Sequence, residues 1–295
     1  MKKYFILVLI LAFSSAVVFP QKKSSKKSKS KVEEPIKDKD AIKKISEVTK
    51  KSKKIEGLFD LYQDTVNGSI KMVIKQDQIG KEYIYFSQIA DGVLDAGSYR
   101  GSYRGSKVFK IEKYFNKIEF IVQNTSSYFD PESALSKSSS ANMSEGVLAS
   151  LKIEGINKKD GLFLINADQL FLKETFSQIK PPRYPKQSPT AFTLGTLNKE
   201  KTKINSIRSY PKNTDLAIEY VYSKSNTLNG GSRAVSDGRN VSIKVFHSLI
   251  EMPDNYYEIL VDDPRVGYFT TQVTDMTSTS STPYRDLVHR WNLKK

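Results

Sequence analysis

V-S-I-K-V-F-H-S-L, residues 241–249, decides how this chain folds. Val241, Ile243, Val245, His247 and Leu249 fall at every second position, the period of an extended strand with one face turned to a core. Upstream, Leu216, Ile218, Tyr220 and Tyr222 alternate in the same way, and Lys203 to Tyr210 reads as a further strand stopped by Pro211. Long alternating strands joined in sequence order favour an antiparallel sheet with one buried face. The fold class expected is therefore mainly β (β-rich α+β), built of antiparallel hairpins and sheet with few short helices.

Working back from that stretch, Leu58–Tyr62 and Ile70–Ile74 flank Asn67-Gly68, a pair suited to a tight hairpin, and Tyr83–Phe86 supplies a third strand. Residues 55–90 are read as a small N-terminal meander and 91–295 as a larger antiparallel domain. Within the latter, Phe109 and Ile111 pair with Ile118, Phe120 and Val122 around Asn116-Lys117, and Leu151 and Ile153 with Leu162 and Leu164 around Asp160-Gly161. The tandem G-S-Y-R-G-S-Y-R-G-S-K, 97–107, puts arginine beside tyrosine, which can stack on bases, but two copies fit a plain surface loop as well. Ser126–Glu145 reads as a long exposed loop. Asn166 or Asp168 is placed to cap a short helix through Leu170 and Phe171, and Pro181, Pro182, Pro185 and Pro189 mark an extended connector.

The N-terminus has the layout of an export signal: Lys2 and Lys3, an apolar run from Tyr4 to Phe13, then Ser14-Ser15-Ala16. Residues 1–19 are read as a signal peptide. The expected location is periplasmic, cell-surface or extracellular, with membrane contact only if the segment stays uncleaved. Residues 20–54 follow as a Lys/Ser-rich disordered linker, in which Ile42, Ile45 and Val48 recur at the spacing of a short amphipathic helix. The net charge of +15 sits largely there. Residues 22–54 carry 14 lysines against five acidic residues, and with Lys2 and Lys3 removed only +4 remains for residues 55–295. A lysine run without aromatics is a solvated spacer rather than a nucleic-acid surface, so no specific nucleic acid is expected. With no cysteine anywhere, thiolate metal sites, thiol nucleophiles and disulfides are excluded.

Catalytic patterns are scarce. The two histidines, His247 and His289, have no second histidine at i+4, and neither H-E-x-x-H nor G-x-S-x-G occurs. His247 shares the apolar side of its strand and reads as a core or rim residue. No catalytic or cofactor-binding residue is assigned.

The stretch M-P-D-N-Y-Y-E-I-L-V-D-D-P-R-V-G-Y-F, 252–269, interrupts the strands with turn chemistry: Pro253, Asp254 and Asn255 end one run, and Asp262-Asp263-Pro264-Arg265 turns the chain before Val266–Phe269. Together with V-S-I-K-V-F-H-S-L-I-E-M-P before it and R-D-L-V-H-R-W-N-L-K-K after it, this stretch resembles the N-terminal part of a family of large secreted bacterial zinc-dependent metalloproteases. Residues 205–220 and 54–62 fit the same family. The turn Asp263, Pro264, Arg265, Gly267 is its marker here. The resemblance implies a non-catalytic scaffold, substrate-cleft or maturation region, with zinc held only by a separate catalytic domain that acts with this region in cis or in trans. None of that domain's metzincin-like residues has a counterpart in this sequence, which ends about where it would begin, so the chain alone is expected to be inactive and without cofactor. In some such families a pro-segment side chain occupies the zinc. Here Val266 stands where a thiol would be, which leaves Asp262 or Asp263 as candidate switch ligands against a plain turn. The alternative reading is a stand-alone secreted β-rich binding or structural protein.

Overall fold

The computed structural model describes residues 42–291 except 142, 184, 255–257 and 264. The expected signal peptide, most of the linker, Asn255 and Pro264 therefore lie outside the described residues. The described residues are β-rich, 44% strand and 8% helix, as the alternation implied.

Sixteen strands follow one another among the described residues: β1 Lys43–Lys44, β2 Ser52–Ile55, β3 Leu61–Asp64, β4 Ile70–Lys75, β5 Glu82–Asp91, β6 Tyr103–Tyr114, β7 Lys117–Val122, β8 Ser127–Tyr128, β9 Gly146–Asn157, β10 Leu162–Asn166, β11 Thr196–Leu197, β12 Lys203–Tyr210, β13 Asn213–Ser223, β14 Asn240–Glu251, β15 Thr270–Asp275 and β16 Tyr284–Val288. Among the described residues two one-turn α-helices, α1 Ile45–Val48 and α2 Asp168–Phe171, and three short 3-10 turns join them. The main sheet runs β11-β13-β14-β5-β6-β7-β9-β10-β4-β3-β2, with β12 also on β13 and β1 on β9. Apart from the parallel β1–β9 pair its ladders are antiparallel.

The strands of 55–90 do not form a sheet of their own. β5 lies between β14 and β6, pairing Leu249 with Tyr85 on one side and Tyr85 with Lys107 on the other. β4 pairs with β10 as well as β3. Residues 58–89 and 96–249 share one hydrophobic core.

The sheet curls until its ends almost meet. Beyond β2, the Leu58 amide donates to the Tyr210 carbonyl at 2.7 Å, and the Phe59 amide to Thr214 Oγ1 at 3.3 Å. On the other side of this bridge the Val73 amide donates to the Asp60 carbonyl at 2.9 Å. Gly57 sits in the seam. A Cβ there would come within 2.1 Å of Ser209 Oγ and 2.8 Å of the Tyr210 nitrogen, so only glycine lets the two backbones approach this closely.

The inside of the curl is filled with side chains, as small closed sheets are. Tyr85, Phe109, Phe120, Tyr220 and Tyr222 are all fully buried. The segment after β10 turns inward: α2 and the residues to Ile179 bury Leu170, Phe171, Phe176 and Ile179. Phe176 is the hub, its ring 4.8 Å from Tyr85, 5.5 Å from Phe109, 5.9 Å from Phe120 and 5.8 Å from Phe171. On the outer face, α1 sets Ile45 on Val73 and Leu164, which makes β4 and β10 apolar on both sides there. The amphipathic spacing of Ile42, Ile45 and Val48 thus yields a single docked turn, shorter than the spacing allowed.

Turn chemistry was legible with small displacements. Gly68 takes φ 76°, but its loop is longer than two residues and is held by Asp64, whose carboxylate accepts from the Val66 and Asn67 amides. The β6–β7 turn is Phe115-Asn116, one residue earlier than expected, because Tyr114 pairs with Lys117, and Phe115 takes φ 48°. The second copy of the Tyr-Arg-Gly-Ser repeat is not loop but the start of β6.

Candidate functional site

Two regions carry polar chemistry or unusual exposure: the buried interior around His247, and the small sheet into which residues 258–288 fold.

His247 lies on the inward side of β14, as its alternation requires, and is 2% exposed. The Tyr85 hydroxyl is 2.8 Å from its Nδ1 and the Tyr220 hydroxyl 2.9 Å from its Nε2. Tyr220 also donates to the Phe171 carbonyl at 2.7 Å. Its proton being spent there, Tyr220 can only accept from the imidazole, so Nε2 carries hydrogen and Nδ1 accepts from Tyr85. Every polar atom of this trio is satisfied by a neutral imidazole. Burial pushes the His247 pKa down to about 3. It also pushes the hydroxyls of Tyr85 and Tyr220 up. A ring locked between two hydroxyls, away from water, does not move protons to a substrate. It ties β14 to β5 and β13, and Tyr220 carries the link on to the filling segment at Phe171.

Nearby, Glu174 Oε1 accepts from the Tyr222 hydroxyl at 2.7 Å and from the Ile179 and Lys180 amides at 2.8 and 2.6 Å. Lys107 donates to the Phe176 carbonyl and Arg104 to that of Ile179, each at 2.6 Å. These contacts tie down backbone groups that would otherwise be buried without partners.

The second region begins where β14 ends. The chain leaves the main sheet and runs along one edge of β16, with the Val288 amide donating to the Leu260 carbonyl and the Asp262 amide to the Asp286 carbonyl. Past Asp263 it reverses and returns as β15 on the opposite edge of β16, pairing Thr270 with Val288. β8 completes a three-stranded sheet from the far side of β15. The stretch 252–269 is therefore the crossing from one sheet to another rather than a connection within one. A nearly inaccessible Asp275 anchors this sheet. It accepts from the Thr277 hydroxyl at 2.6 Å and pairs with Arg285, whose guanidinium lies 5.1 Å from the Tyr128 ring centroid. The Thr277 hydroxyl bond is the main influence holding its carboxyl below the usual range.

The marker residues separate in role. Both Asp263 oxygens accept from Arg265, at 2.9 and 3.1 Å from Nε, and the Arg265 and Val266 amides bond back to Asp263. The Arg265 side chain holds the Asp263 carboxyl below its ordinary pKa. Asp263 is thus committed to its own turn. Asp262 Oδ1 is buried and has no hydrogen-bond partner among the described residues. Gly267 has a Cβ position open to space and no positive φ, so the turn does not demand glycine there. Among the described residues no group of three or more His, Cys, Asp or Glu side chains is positioned to hold a metal.

What sequence reading missed is the exposure. Ile259, Leu260, Val261, Val266, Tyr268, Phe269 and Tyr284 all belong to this small sheet and its crossing loop, and are 41–87% exposed. Phe269, at 87%, sits beside β16 through the bond from the His289 amide to its carbonyl at 2.8 Å. Scattered exposed apolar residues are ordinary, but seven of them gathered on one small module are not. The signal was present as I-L-V and V-G-Y-F, apolar runs without the alternation that buries every second residue.

The chain matches DUF5117, a domain of unknown function, over residues 101–295, about two thirds of its length. No curated protein and no solved structure matches it.

Proposed function

The chain belongs to the DUF5117 family, and from that premise we propose that it is the non-catalytic scaffold or maturation region of a secreted zinc metalloprotease-like protein. Its small C-terminal sheet is the surface that receives the peptidase domain, in cis or in trans. The observation that carries this reading is the coincidence of two features in one place. The stretch that bears the family resemblance, 252–269, is also where the exposed apolar side chains gather. A crossing loop built only to connect sheets has no need of Phe269 and Tyr268 in water. A loop that packs on a partner does.

Of the two aspartates raised as switch ligands, the geometry favours Asp262. Asp263 is neutralised within the turn, whereas Asp262 keeps one uncommitted oxygen. A carboxylate oxygen without a donor is costly to bury, and because this one is covered, the Asp262 side chain would have to turn outward to meet a cation or donor from a partner.

The test is association in solution. This chain and the catalytic region of a metalloprotease from the resembling family are mixed and followed by analytical ultracentrifugation. Complex formation is expected, and it should be lost in the double variant Tyr268→Ser/Phe269→Ser while the urea midpoint of the variant is unchanged. No complex with several such catalytic regions would remove the reading.

A further inference from the structure

A separate cleft, independent of the peptidase reading, opens beside the Leu94–Ala96 turn. Its volume is about 390 Å³, and Lys180, Arg183, Phe192, Leu194 and the Pro181-Pro182 pair line it. The proline run expected to be a plain connector forms one wall. Lys180 Nζ donates to the Gly195 carbonyl at 2.6 Å, and Lys224 Nζ to the Thr193 carbonyl at 2.7 Å. Lys224 also lies 5.5 Å from the centroid of the Phe192 ring. Two ammonium groups thus hang on one short stretch, 193–195, with Arg183 exposed at the rim.

No ion pair among the described residues involves Lys180, Arg183 or Lys224. The carboxylates close by are engaged with uncharged donors. Asp95 accepts from the Ser232 amide and hydroxyl at 2.9 and 2.8 Å, and Glu174 from Tyr222 and two amides. Partial burial, and then the nearness of Lys180, pushes the Lys224 ammonium below its usual pKa. Asp95 also lines the cleft, so Lys180 and Arg183 there outnumber one carboxylate, itself taken up by Ser232; a net positive concave site with an aromatic and aliphatic floor attracts an anion that carries an apolar body.

We propose that this cleft binds an organic carboxylate, with the anion between Lys180 and Arg183 and its apolar portion on Phe192, Leu194 and the two prolines. The chemistry is met by a peptide's C-terminal carboxylate or by a free aliphatic acid.

Calorimetric titration of the full chain with N-acetyl-leucyl-phenylalanine, its C-terminal amide, octanoate and inorganic phosphate tests this. One or both carboxylates should bind, with the amide and phosphate at least about tenfold weaker, the value of a charge-assisted hydrogen bond. Tighter binding of the dipeptide assigns a peptide terminus, and tighter binding of octanoate a free acid. Arg183→Gln, at an exposed side chain, and Lys180→Gln, which keeps a donor for Gly195, should each weaken the carboxylate about tenfold with an unchanged urea midpoint. Equal binding of acid and amide, phosphate binding as well as either acid, unaltered affinity in Arg183→Gln, or no heat at about 10 mM, where roughly 3 kcal/mol would be seen, overturns the proposal.

Discussion

Acid should unlock the interior through a single residue. An imidazole in the unfolded chain titrates near its ordinary 6.5, whereas in the fold His247 is held to about 3. Because the folded pKa is the lower one, the unfolded chain takes up the proton first as pH falls. The stability contributed by neutral His247 is complete above about 6.5, declines between 6.5 and 3, and levels off below. At about 1.36 kcal/mol per pKa unit the whole window is worth roughly 4–5 kcal/mol, and about 3 kcal/mol of it is gone at pH 4. That is a large share of the ~5–15 kcal/mol by which domains are stable. The comparison is with His247→Gln, whose amide can accept from Tyr85 and donate to Tyr220 without titrating. Gln is expected to cost about 1–2 kcal/mol at pH 8, from imperfect geometry. Carboxylates whose pKa the fold lowers, Asp237 to about 2 and Asp64, Asp95 and Asp263 in the same direction, also lose stability in acid. They are common to both proteins and cancel in the difference. Urea denaturation followed by tyrosine and tryptophan fluorescence at pH 8 and pH 4 gives that difference directly. Wild type should lose about 3 kcal/mol more than His247→Gln over this range. Parallel losses, within about 0.5 kcal/mol, would show that His247 is not held neutral by the fold and would sink the argument.

Other perturbations follow from the same contacts. Tyr220→Phe removes the acceptor of the imidazole N–H and the donor to the Phe171 carbonyl together, and should cost about 2–4 kcal/mol in urea, against about 1 kcal/mol for Tyr222→Phe, which leaves Glu174 two amide donors. Gly57→Ala forces the seam apart and should lower stability by about 1–3 kcal/mol with normal expression of the remaining fold, read by urea midpoint. Arg285→Ala strips Asp275 of its charge partner. Hydrogen exchange should then rise in β15 and β16 while β13 and β14 keep their protection.

How much of this was legible varied with the range of the interaction. Period-two alternation named β13 and β14 and the buried side of each, including His247, because burial of one face leaves its mark within a few residues. Gly68 and Gly161 announced their turns through left-handed backbone that few other residues adopt. The neighbours of β5 left no such mark. Glu82–Asp91 could pair with anything near it, and its place against β14 depends on contacts more than 150 residues away. The inward course of 167–179 was hidden for a similar reason: Phe171 and Phe176 follow no period, since they fill space lined by β5, β6, β7 and β14. Asp262 and Asp263 read alike in sequence, and only the position of Arg265 distinguishes them.

The placement of β5 has a bearing on where this protein can be cut. The matched region starts at residue 101, yet the strand that bridges β14 to β6 ends at Asp91. The matched region thus leaves out a strand on which both β14 and β6 are paired. A fragment starting at 101 would carry two long strand edges, Asn240–Glu251 and Tyr103–Tyr114, each stripped of one neighbour and each lined with aromatic and branched side chains. Such edges recruit one another between molecules. A fragment that keeps the sheet whole therefore has to include β5, the helical turn that covers β4 and β10, and the glycine that closes the curl.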